Sequence, residues 1–174
     1  MHPRRILQLI FAAIVLVGMP AWAAVPAATG QVTVSYDHPD QFTEAKKLRT
    51  FAPSRLDDGY LKTLKAYLED RAGKRLAPGE HLQIVVTDID RAGNFEPWHG
   101  VRLRDVRIIK DIYPPRIDLN FKLTGADGKV LREGARKLRD PAFLTDSGYA
   151  NNTDNLRYEK ALLDRWLRKG PDQL

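Results

Sequence analysis

The chain has 174 residues and no cysteine, which excludes disulfides, thiol nucleophiles, thiolate metal sites and lipid attachment through cysteine. Its 28 Lys and Arg exceed its 22 Asp and Glu, giving a net charge of +6, and 43% of its residues are hydrophobic. This is the composition of a single globular domain whose stability must come from packing.

Arg4-Arg5, an apolar run from Ile6 to Gly18, Pro20 and then Ala21-Trp22-Ala23 follow the order of a secretory signal peptide, with cleavage expected after Ala23. The apolar run is shorter than the roughly 20 residues a spanning helix needs, so no membrane span is expected after cleavage. Residues 24–30 read as a linker and 31–170 as one domain. Val32, Val34 and Tyr36 alternate with Thr33 and Ser35 in a half-buried strand closed by Asp37-His38-Pro39. Phe42 and Phe51 then flank a polar bridge that they pin to the core. Asp57-Asp58-Gly59 opens a helix, Leu61, Leu64, Leu68 and Ala72 recur on one face, and Gly73 ends it. After the Pro78-Gly79 turn, His81 to Asp90 reads as a strand, and so does Val101 to Ile109.

From Arg116 the alternation is clean, with Ile117, Leu119, Phe121 and Leu123 on one face and Arg116, Asp118, Asn120 and Lys122 on the other. Gly125-Ala126-Asp127-Gly128 supplies a hairpin turn, and the return strand runs from Lys129 to Leu138. Asn151 to Asp154 offers caps for a last helix striped by Leu156, Leu162, Leu163, Trp166 and Leu167 and stopped by Gly170-Pro171. The order predicts an α+β, two-layer sandwich: a mostly antiparallel sheet of four to five strands with two helices on one face.

The densest chemistry lies in TDIDRAGNFEPWHG, residues 87–100. Asp88, Asp90, Glu96 and His99 could serve a metal-assisted hydrolase, because carboxylates and an imidazole suit zinc, iron or manganese. Against this, carboxylates two apart on a strand stand roughly 6.6 Å from one another and repel, and no His-x-His or His-Glu-x-x-His spacing occurs. An EF-hand reading fails too, with Ala92 at a ligand position and His99 where the bidentate Glu belongs. The better reading is a structural clasp, in which Asp88 and Asp90 meet Arg91, Arg104 or Arg107.

No Gly-x-Ser-x-Gly or glycine-rich phosphate cradle appears, so a binding role is preferred to catalysis and no cofactor is expected. Between Arg102 and Arg139, eleven Lys and Arg stand against five acids, a balance that suits an anionic partner or a simply solvated face. Pro114-Pro115 must stand at a strand start or edge, which places Tyr113 and Trp98 at one end of the sheet. With Arg104, Arg107 and Arg116 they form the candidate binding set, for an envelope protein or an anionic glycan or lipid. Nucleic acid is disfavoured, because no aromatic-plus-basic motif of a known kind accompanies the charge.

At DIDRAGNFEPW, at Asp105-Val106-Arg107-Ile108, at Asp111-Ile112-Tyr113-Pro114-Pro115-Arg116-Ile117 and at Leu156-Arg157-Tyr158-Glu159-Lys160, the chain resembles the exported bacterial proteins catalogued as domain of unknown function 3016. The likeness spans nearly the whole chain beyond the leader. It implies a periplasmic or secreted protein and carries no known activity, so no catalytic residue follows from it. A fainter likeness to the α+β modules of another uncharacterised lipoprotein group lies in Val34-Ser35-Tyr36-Asp37 and Arg49-Thr50-Phe51, without the lipid-bearing cysteine.

Overall fold

The structure, a computed structural model, describes residues 30–145 and 152–169. The expected signal peptide, residues 24–29 of the linker, the cap residue Asn151 and the Gly170-Pro171 stop lie outside the described residues.

The sheet is built around the alternating segment. Strand β1 (Gln31–Tyr36) pairs in parallel with β2 (His81–Asp90); β2 pairs antiparallel with β5 (Arg116–Thr124), and β5 with β6 (Val130–Arg139). The strand order is β1-β2-β5-β6, a mixed sheet in which only the first pairing is parallel. A parallel pair cannot be joined by a hairpin, and the crossover is supplied by two helices, α1 (Thr43–Phe51) and α2 (Gly59–Gly73). Gly128, at φ +77, closes the β5–β6 turn in a conformation that favours glycine, and the Gly128 N–H donates to the Gly125 carbonyl.

One sheet face is dry. Val34, Leu82, Ile84, Val86, Ile117, Leu119, Phe121 and Leu123 form one core with Leu64, Leu68 and Ala72 of α2 and with Leu162, Leu163, Trp166 and Leu167 of the closing helix α3 (Arg157–Leu167). The Phe121 and Trp166 rings meet edge to face, with centroids 6.0 Å apart. The other face is polar and internally balanced: Arg139 bonds Asp118 at 2.6 Å, and Lys122 faces Glu133 at 4.0 Å. The basic segment is therefore laced with counter-charges along β5 and β6. The α+β, two-layer reading holds, and no helix of the described residues is long and apolar enough to cross a membrane.

Two local readings are corrected, and β2 carries a feature that its alternation does not show. The bridge between Phe42 and Phe51 is the helix α1, which buries Ala45 and Leu48 as well as Glu44. The strand expected over 101–109 shrinks to Arg107–Ile108 (β4), paired only with Asn94–Phe95 (β3), while 101–106 turns through solvent. Val101 and Leu103 alternate with arginines but have no second layer to bury them. Finally, a register shift between Val86 and Asp88 places an extra residue opposite β5. It changes the parity of the strand, so that Ile89 continues the buried row of Leu82, Ile84 and Val86 while Asp88 and Asp90 leave it.

Candidate functional site: a carboxylate clasp beside an arginine cleft

The acids that end β2 are fixed by α1. Asp88 accepts the Thr43 backbone N–H at 2.6 Å and its hydroxyl at 2.8 Å, and Asp90 takes the Lys47 ammonium at 2.5 Å. No side chain of its own caps α1, so Asp88 satisfies one of the free N–H groups of the first turn from another element. Glu44, fully buried, takes the Arg107 guanidinium and the Arg91 backbone N–H. The arginine partners expected for the acids are corrected: Thr43 and Lys47 hold Asp88 and Asp90, and Arg107 goes to Glu44. The cause is the bulge together with α1, neither of which appears in the strand's own alternation.

Glu96 is a second anchor. Only 2% exposed, it binds Lys110 Nζ at 2.8 and 2.7 Å, receives the Tyr113 hydroxyl at 3.0 Å and lies 2.8 Å from His99 Nε2. The hydrogen bond from Lys110 holds its carboxyl below the usual range, and the Tyr113 hydroxyl, donating to that carboxylate, is pushed up. Gly93, at φ +85, makes the preceding turn: its N–H donates to the Tyr113 carbonyl, and an added Cβ would stand 2.7 Å from the Ile108 oxygen.

Of the four candidate metal residues, Glu96 and His99 meet, whereas Asp88 and Asp90 are engaged with α1. Among the described residues no three His, Asp or Glu side chains form a group that could hold a metal ion. Of the binding set, Tyr113 closes on Glu96, two residues from Trp98, which is 68% exposed. Arg104 is exposed in the 101–106 turn, Arg107 turns inward, and Arg116 lies opposite Asp90 and Arg139 at the end of the polar sheet face. The set is thus divided over three places. Trp98, Val101, Leu103, Ile109 and Ile112 are all exposed, which concentrates large apolar side chains in residues 98–112.

A feature that sequence reasoning misses lies behind the clasp. A cleft of about 630 Å³ opens between the start of α2, the β2–β4 segment and the start of α3. Four arginines line it, and three of them stand over an aromatic ring: Arg91 over Tyr60 at 5.7 Å, Arg107 over Phe95 at 4.8 Å and Arg157 over Tyr158 at 4.4 Å. Glu159, 1% exposed, accepts the Ala92 N–H at 2.8 Å through one oxygen, while among the described residues Oε2 has no hydrogen-bond partner. Arg91 Nε and Arg157 Nε are likewise buried without partners. Burial pushes the Glu159 carboxyl up, weakens the hold of Arg107 on its proton, and pushes the Tyr60 hydroxyl up. Such an arrangement can receive a ligand that brings acceptors to the arginines.

A search of curated proteins finds no match to the chain. A family model described as "Protein of unknown function (DUF3016)" matches residues 30–169, so most of the chain, including the clasp, the 98–112 segment and the cleft, belongs to that family.

Proposed function

We propose that the chain is exported and acts in the cell envelope as a non-enzymatic module that settles on an anionic lipid surface through residues 98–112. The observation that carries this reading is the side-chain pattern of that segment: exposed Trp98, Val101, Leu103 and Ile112 interleaved with exposed Arg102 and Arg104. A cluster of exposed apolar groups marks a contact surface. At a lipid boundary the aromatic and aliphatic groups enter the acyl edge while arginines face headgroup phosphates. Glu96, by holding Lys110, Tyr113 and His99, ties the two ends of the segment together and reduces the ordering cost of docking. Export is supported by Arg4-Arg5, the apolar run and Ala21-Trp22-Ala23.

Flotation with vesicles tests the reading. The protein should rise with phosphatidylglycerol-containing vesicles, less so as salt increases, and with a blue shift of Trp98 emission; phosphatidylcholine alone should leave it behind. Trp98→Ser with Arg104→Gln should remove binding while the circular dichroism stays native. No binding to anionic vesicles contradicts the proposal, as does equal binding to neutral ones; capture by a purified envelope protein or glycan instead would reassign the surface.

A further inference from the structure

The cleft carries an inference independent of the membrane reading. Among the described residues neither Arg91 nor Arg157 forms an ion pair. Arg91 donates from Nη2 to the Asn155 carbonyl at 2.9 Å; Arg157 donates to the Asp154 carbonyl and to the Tyr158 hydroxyl, each at 3.1 Å. Every one of these acceptors is neutral. The acids nearby are already engaged: Glu44 with Arg107, Asp154 with Lys160 at 2.5 Å and the Leu156 N–H at 2.8 Å, and Asp57 with the Gly59 N–H at 2.9 Å. Among the described residues, two partly buried cations set on tyrosine rings therefore share a cleft whose acids, Asp57, Asp154 and Glu159, form no ion pair with either of them. Buried charge is ordinarily paired.

We propose that the cleft binds a small oxyanion, a carboxylate or a phosphate ester, between Arg91 and Arg157, and that a hydroxyl group on the same ligand bonds Glu159. The match is one of donors and acceptors. The two guanidinium groups offer N–H donors in the planar arrangement that suits carboxylate or phosphate oxygens. The unpartnered Oε2 of Glu159 asks for a hydrogen-bond partner, and a hydroxyl can meet it either as acceptor from the neutral acid or as donor to the carboxylate. Phe95, Tyr60 and Tyr158 wall the space, so an aliphatic body fits between them.

Titration of the native protein with inorganic phosphate, malate, succinate and, at matched ionic strength, sodium chloride is the test, followed by calorimetry and by thermal unfolding. Saturable heat and a rising Tm with phosphate or with malate are expected, and which of them binds tighter tells phosphate from carboxylate ligands. Arg157→Gln and Arg91→Gln should each weaken that binding by about tenfold or more, the effect of a charged hydrogen bond lost, and Arg157→Lys should restore part of it. Malate should exceed succinate, and Glu159→Gln should reduce that preference. No saturable response beyond chloride overturns the proposal, and so does binding that both arginine variants leave unchanged; malate and succinate binding alike removes Glu159 from it.

Discussion

Glu96 and Glu159 are equally hidden from water, at 2% and 1% exposure, yet their surroundings treat them oppositely. Around Glu96 the protein gathers an ammonium, a phenol and an imidazole, and the charged carboxylate is favoured. Around Glu159 it supplies one backbone N–H and leaves an oxygen empty, and burial favours the neutral acid. The same division runs through the arginines, since Arg107 is paired with Glu44 whereas Arg91 and Arg157 hold only neutral acceptors. Charges that are satisfied build this end of the sheet; charges that are left open mark where something else is bound.

The comparison can be broken by substitution, and the largest effect is expected at Glu44. Glu44→Ala leaves Arg107 buried without its anion and frees the Arg91 N–H, so it should cost about 3–5 kcal/mol in urea unfolding. Asp88→Ala removes the side-chain cap on the first turn of α1 and should cost about 1 kcal/mol, as a lost helix cap does. On the other side of the comparison, Arg157→Gln sacrifices no ion pair and should change stability by less than about 1 kcal/mol while weakening anion binding by about tenfold or more. A cost at Arg157 as large as that at Glu44 would erase the distinction.

Much of the fold was legible because period and burial agree. Ile117, Leu119, Phe121 and Leu123 face the core as their alternation requires, and Leu64, Leu68 and Ala72 of α2 and Leu163 and Leu167 of α3 form the stripes their spacing predicts. Helix α1 was hidden between Pro39 and Pro53: Phe42, Ala45 and Leu48 do recur at helical spacing, but the turn is short and its cap is Asp88, from another strand. The segment Val101 to Ile109 imitates a strand through alternation alone, a pattern that exposed apolar residues also produce. The bulge before Asp88 left no mark in composition. Of the candidate site, the polar loop was visible as a dense run of acids and an imidazole, but the partners of Asp88 and Asp90 were not, because they come from α1. The cleft was not visible, because Tyr60, Arg91, Arg107 and Arg157 come from four separated elements and each alone reads as surface.

The pH dependence of stability separates the two glutamates most directly. The folded-state pKa of Glu96 is lowered, so its contribution is present above the unfolded carboxyl value, near 4.3, and is lost as pH falls through the folded pKa. The folded-state pKa of Glu159 is raised, so its contribution is full below about 4.3 and is lost as pH rises through the folded pKa. Urea unfolding of native protein, Glu96→Gln and Glu159→Gln from pH 4 to pH 8 should therefore show Glu96→Gln weakened most at neutral pH, and Glu159→Gln at least as stable as the native chain there. If Glu159→Gln instead loses stability at neutral pH as Glu96→Gln does, Glu159 is a satisfied structural carboxylate and the cleft loses its claim to an unpaired interior.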